Sequence, residues 1–220
     1  LRPKVFVAEN VKGLTIGTAK GYFKLILRAL KESGYRVKAA VLNAQHLGVP
    51  QSRERLIFIG VREDLNREPV YPKPIPYVYT LRDAFEGLEN GPQEVARLLE
   101  DGSRYKWGKV LSLLPRDPRK PLTGASVMNG SYFNLRRESL YAPCGTVRQM
   151  NGNPSACGNS HPLEDRKFTI LELRRIMSIP DDFILTGTYA QQWERLGRMV
   201  PPVMMGHIAK TIEREILCRL

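Results

Sequence analysis

Glu9 stands at the end of Lys4–Ala8 (KVFVA), a short β-branched and aromatic run that reads as a buried strand. A carboxyl in that place, within Glu9-Asn10-Val11, either faces a crevice as an acid or sits solvated or ion-paired. Arg53 and Arg55 lie two apart in Gln51-x-Arg53-x-Arg55, at the start of a second strand-like run, Glu54–Val61 (ERLIFIGV). That spacing puts both on one face. A guanidinium is a planar fork suited to phosphate or carboxylate oxygens; the alternative is a basic strand start balanced by Glu54. Gly197–Pro202 (GRMVPP) reads as a tight loop opening a last helix, with Pro202 near its first position. A loop at a helix start can offer amides to an anion. Cys144, Cys157 and Cys218, with His46, His161 and His207, match no metal-ligand spacing, so no metal site is expected. Three cysteines are also too few for a disulfide framework, which favours a reducing setting.

The elements that must position these groups are read from pattern. The 220 residues suffice for one large domain or two modest ones, with roughly 70% of the extended surface buried. Tyr22–Ser33 (YFKLILRALKES) predicts a helix closed by Gly34, and Tyr35–Asn43 (YRVKAAVLN) a strand. The order strand, helix, strand, loop, strand fits one edge of an open α/β sheet, and if that sheet is parallel the side chains of Glu9-Asn10-Val11 point into a crevice. Pro69, Pro72, Pro74 and Pro76 mark a boundary. Thr80–Leu88 and Pro92–Glu100 read as short helices. Lys106–Asp165, interrupted by Gly and Pro, reads as a small irregular β-rich domain with ligand-facing loops. Thr169–Ile179 predicts a helix with a capping box from Thr169 and Glu172. Tyr189–Met199 and Val203–Leu217 are the last helices. The expected units are 1–65, 66–190 and 191–220.

Lys plus Arg number 34 against 22 Asp plus Glu, a net charge of +12. The surplus favours a polyanion such as nucleic acid, with a merely basic surface as the alternative. Arg116, Arg119, Lys120, Arg136 and Arg137 are candidate phosphate contacts, each equally readable as a solvated charge. Gln149, Asn151, Asn153 and Asn159 can read base edges, and sequence does not choose among them. No apolar stretch approaches a membrane span, and no secretory signal is present at Leu1-Arg2-Pro3-Lys4. The absence of an initiator Met suggests a start inside something longer, or processing.

Three blocks, taken in order, resemble the later motifs of the cytosine-C5 DNA methyltransferases. They are Pro3–Val11 with its Glu-Asn-Val, Asn43–Ile59 with its Gln-x-Arg-x-Arg, and His161–Phe183 followed by Arg195–Pro202. Together they bracket the chain, and the stretch from Arg62 to about Asp165 falls where that family keeps its target-recognition domain. The family's Gly-rich cofactor loop and Pro-Cys nucleophile loop have no counterpart; Pro143-Cys144 lies in the wrong block and is taken as coincidence. Arg198 stands where the family has Asn, and Ile170 where it prefers Pro.

The resemblance implies a partial Rossmann-like methyltransferase sheet with a smaller recognition domain, and methyl transfer from S-adenosylmethionine to C5 of cytosine in duplex DNA. It implies that Glu9 is the acid beside the base's N3 and exocyclic amine. Asn10 would orient a neighbouring loop, Arg55 would reach the base's O2, and Arg53 would support the acid and backbone. Gly197, Arg198 and Val200 are implied cofactor contacts, the rest of that site being expected in a missing N-terminal half; Arg198 weakens the expected pocket. Gln51, Arg136, Arg137 and Arg166 are implied DNA contacts, Arg166 also a tether, while Arg175 is expected to be structural and able to pair with Glu172. Implied partners are duplex DNA and the missing half or a complementary subunit, or a dimer mate on an exposed strand edge. A cytoplasmic, prokaryotic or phage-type setting near the nucleoid, in restriction-modification, is implied likewise. The chain alone is expected to be inactive. The competing readings are a DNA-binding or degenerate subunit without catalysis, and a non-enzymatic interaction piece.

Overall fold

The computed structural model describes residues 1–220. Its first sheet comprises β1 (Val5–Val11), β2 (Tyr35–Asn43) and β3 (Glu54–Arg62), in the order β1-β3-β2. Between β1 and β2 runs α1 (Lys20–Glu32), ended by Gly34 at a φ of 89°. This crossover leaves β1 and β2 parallel to each other. β3 is antiparallel to both, because the β2–β3 connection is a loop too short for a crossover helix. A fully parallel arrangement is thereby excluded.

Alternation along β3 sends its side chains to two cores. Ile57, Ile59 and Val61 meet Met204, Ile208 and Ile212 of α7 (Pro202–Glu215). Leu56 and Phe58 face Phe23, Leu27 and Leu30 of α1. The result is helix, sheet, helix. Gly60 is required where Phe6 crosses β3, because a Cβ there would come within 2.1 Å of the Phe6 ring.

The remaining units are α2 (Leu81–Phe85), α3 (Pro92–Arg104), α4 (Lys106–Leu111), α5 (Ile170–Ile176) and α6 (Tyr189–Arg198), with strands β4 (Leu122–Thr123), β5 (Arg136–Arg137) and β6 (Asn159–Ser160). Regular β structure over Lys106–Asp165 is thus confined to three two-residue strands, and the stretch opens on a helix where a β piece was expected. Its Gly and Pro residues prevent long ladders. Buried side chains fasten the loops instead: Arg137 donates to the carbonyls of His161 (3.1 Å), Glu164 (3.1 Å) and Leu111 (2.8 Å), and pairs with Asp165.

α5 begins with the expected capping box and is shorter than expected, ending before Ser178, whose φ is 56°. α6 spans the expected border at 190/191. It buries Trp193 and Leu196 against Phe168, Leu173 and Val147, so packing places α6 with the second unit. α7 alone returns to the sheet. Its Pro202 occupies the first turn, where the missing N–H is harmless.

Candidate functional site

Glu9 and Arg55 meet at the end of the first sheet. Glu9 lies opposite Ile57 on β3 and Arg55 lies opposite Val11, so the two are diagonal neighbours on one face. The Arg55 Nε to Glu9 Oε1 distance is 2.6 Å; the Arg55 side chain is 11% exposed and that of Glu9 32%. Burial lowers the Arg55 guanidinium from its usual value, and the nearby carboxylate opposes that shift. Arg55 also donates to the Glu54 carbonyl at 2.9 Å. The carboxyl therefore stays reachable while the arginine beneath it is held. Asn10 points to the opposite face, and its Oδ1 accepts from the Val11 amide at 2.8 Å. Glu54, offered as the balance to the arginines, instead pairs with Lys12 at 2.8 Å.

Arg53 shares the face and not the task. It is buried and donates to the Val147 carbonyl (2.9 Å) and the Gly197 carbonyl (2.6 Å). Burial pulls it down to about 10, still charged near neutrality. Gln51 is also buried. Its amide donates to Met177 Sδ at 2.9 Å, and its oxygen accepts from Arg53 and from the Val147 amide, each at 3.4 Å. Gln51 thus has no free group for DNA, and its assignment as a phosphate contact is corrected to a bolt between the blocks. Backbone bonds from Cys144 to Pro50 (3.0 Å) and from Ser52 to Cys144 (2.8 Å) complete the junction.

Arg137 and Arg166 are corrected in the same way. Both are buried, and a guanidinium whose donors are taken by internal acceptors cannot reach a phosphate. Arg166 donates to Glu172 at 2.9 and 2.7 Å, and also pairs with Glu164. All partners of its side chain lie within residues 164–172, so these bonds fasten the start of α5 locally. Arg175 pairs with Asp181 and not with Glu172. Arg136 keeps a side chain 39% exposed, though its Nε lies 2.9 Å from the buried Glu138.

The expected loop at Gly197 is shorter than supposed, since α6 continues through Arg198. Gly197 is buried against Gln149, whose backbone nitrogen would lie 2.5 Å from a Cβ. Arg198 is exposed, donates to Gln149 Oε1 at 2.7 Å and pairs with Glu194. Val200 packs on the α7 core. Of the three, Gly197 is buried, Val200 half-buried and Arg198 exposed. Cys144 is buried and its thiol is pushed well above the usual 9.0 by desolvation. Among the 220 residues no cluster of His, Cys, Asp or Glu suits a metal ion, and no helix is long and apolar enough to cross a membrane.

Thr146 and Arg148 escaped the sequence reading. Nothing in their spacing announces that Val147 between them docks on Arg53, 94 residues away.

The sheet with a helix on each face, and a polar site at its end, define a layered α/β protein. The match along the chain is more specific. Residues 1–214 match the model of the C-5 cytosine-specific DNA methylases, and the chain belongs to that family. It is 32% identical to Type II methyltransferase M.PspPI of Psychrobacter sp. over 236 residues, covering 98% of this chain and 55% of that protein. It is 32% identical to Type II methyltransferase M.NgoFVII of Neisseria gonorrhoeae, covering 96% of this chain and 59% of that protein. The chain thus spans little more than half the length of these relatives. In fold it is similar to a candidate DNA modification methyltransferase encoded within an Escherichia coli prophage, with a TM-score of 0.70 at 18% identity, covering 99% of this chain and 71% of that one.

Proposed function

We propose that this chain is the base-holding and DNA-reading portion of an enzyme that methylates C5 of cytosine in duplex DNA. The observation that carries the reading is the Glu9–Arg55 pair, a partly exposed carboxyl backed by a sheltered guanidinium 2.6 Å away. A cytosine turned out of the duplex presents an amino donor and two acceptors, N3 and O2, on one edge. Glu9 would accept from the amino group and donate a proton toward N3, easing nucleophilic attack at C6. Arg55 would donate to O2. Arg53 would act as a positioning residue, holding the recognition unit against the strand that carries Arg55. Asn10, folded onto its own strand, would stiffen the end of β1.

S-adenosylmethionine is the methyl donor that family membership implies. Its cradle and the attacking thiolate would come from residues other than those described here, so a complementary half completes the enzyme. DNA would approach over the second unit, with Arg136 as one contact. The setting would be that of a restriction-modification system in a prokaryote or phage, working on DNA in the cytoplasm.

The test is labelled methyl incorporation into mixed-sequence duplex DNA, with this chain alone and with a separately expressed upstream half added. Incorporation only in the mixture is expected. Glu9→Ala should then lower the transfer rate by about 100-fold or more, with duplex affinity changed by less than about threefold. Equal losses in rate and affinity would remove the acid assignment, and no incorporation by the associated mixture would leave a DNA-binding subunit without catalysis.

A further inference from the structure

A cavity of about 450 Å³ opens in the second unit between the β4–β5 edge and the strap Gly145–Arg148. Two arginines enter it. The charge of Arg136 is already met by Glu138, whose side chain is fully buried. Arg148 is exposed, and its one protein partner is neutral: Nη1 donates to Asn134 Oδ1 at 3.1 Å. An arginine in a recess with an amide and no carboxylate beside it has donors left for a ligand.

The backbone beneath Arg148 is pinned on every side. The Thr146 hydroxyl donates to the Ser52 carbonyl at 2.7 Å. The Val147 carbonyl accepts from Arg53 at 2.9 Å, and the Arg148 carbonyl accepts from Trp193 Nε1 at 2.9 Å. Such a mount lowers the ordering cost of a long side chain at the moment of binding. Phe133 and Met150, 69% and 72% exposed, stand on the cavity wall as apolar surfaces with nothing over them. The mount also fixes register. Arg53 grips the residue next to Arg148 and lies two residues from Arg55, which holds Glu9. One rigid frame therefore carries the base-holding pair and this free arginine.

We infer that Arg148 is a specificity-determining residue that reads a guanine near the target cytosine. Its guanidinium donates two hydrogen bonds to O6 and N7 in the major groove, the geometry an arginine fork fits best. Met150 and Phe133 close on the apolar faces of the neighbouring nucleotides. A guanidinium at the mouth of a largely polar cavity, beside one amide and the apolar side chains of Phe133 and Met150, suits a base edge, whereas phosphates lie along the duplex's outer rim and are met by charges on open surface. The assignment rests on the reading of this protein as a DNA methyltransferase.

The experiment is selection of random-sequence duplexes by the complete protein, wild type, Arg148→Lys and Arg148→Ala, each checked for an unchanged thermal melt. Methyl transfer by the wild type is measured in parallel. The wild type should enrich a motif, and Arg148→Ala should lose roughly tenfold or more of the preference for guanine at one position while keeping the others. Lysine keeps the charge and can still donate to O6 or N7 but lacks the planar fork, so Arg148→Lys should retain only part of that preference. Three results overturn the assignment. One is an unchanged motif in both variants. Another is an even loss across all sequences in Arg148→Ala, with a salt dependence about one unit shallower and recovery in Arg148→Lys, which marks a phosphate contact. The third is no enrichment by the wild type. Wild-type methyl transfer with an unchanged Arg148 motif removes this assignment alone, and no wild-type transfer removes the enzymatic reading beneath it.

Discussion

Arg166 closes two hydrogen bonds on Glu172 while both side chains are out of water. The guanidinium, together with the Thr169 amide, holds the Glu172 carboxyl below its usual range despite burial. Removing one partner strands the other, so Arg166→Met should destabilise the fold by about 3–5 kcal/mol in urea unfolding. Replacing both by apolar residues should cost much less. His161 lies beside this pair, its Nε2 3.5 Å from Glu172. Its Nδ1 accepts from the amides of Leu163 (3.3 Å) and Glu164 (3.2 Å), an arrangement that a proton on Nδ1 would break. Burial holds the imidazole well below its usual 6.5. The unfolded chain therefore binds the His161 proton first on acidification, and stability falls as pH drops below about 6.5. Glu172, with its lowered value, loses its contribution at still lower pH, below the usual 4.5. Urea midpoints from pH 8 to 5 should decline for the wild type and decline less for His161→Gln.

Between elements, one tight constraint is the closeness of α6 to the loop Gln149–Gly152. Gly197 has no room for a side chain, since a Cβ would press on the Gln149 backbone, which cannot swing away as a flexible side chain would. Gly197→Ala should cost about 1–3 kcal/mol by differential melting. Because the Gly197 carbonyl anchors Arg53, the same change should loosen the junction between the two units. Thr169 caps α5 through the Glu172 amide at 3.1 Å and donates to Asn90 at 2.6 Å. Thr169→Ala should lower stability by about 1–2 kcal/mol, read from the urea midpoint.

For the whole molecule, one face of the first sheet unit is unfinished. β1 is hydrogen-bonded to β3 on one side alone. α1 turns Phe23, Leu27 and Leu30 to the sheet and leaves Tyr22, Leu25 and Ile26 at 68%, 59% and 37% exposure. A helix apolar on two faces, beside an open strand edge, calls for a covering element. The chain alone should self-associate with rising concentration in light scattering, and Leu25→Glu should reduce that association. A monomer of 25.0 kDa at every concentration would show that the edge and helix need no cover.

Local pattern in the chain determined the three long strands, α1 and the capping box at Thr169, because periodicity and short spacings act over a few residues, whereas the meeting of Glu9 with Arg55 needed the pairing of β1 with β3. Only the tertiary structure decided which arginines are free. Gln51, Arg53, Arg137 and Arg166 read in sequence like surface charges and polar groups, yet packing surrounds them with carbonyls and carboxylates from distant segments. Arg148 carried no pattern and emerged with donors to spare. Desolvation is set by everything that packs around a group, and no local spacing encodes it.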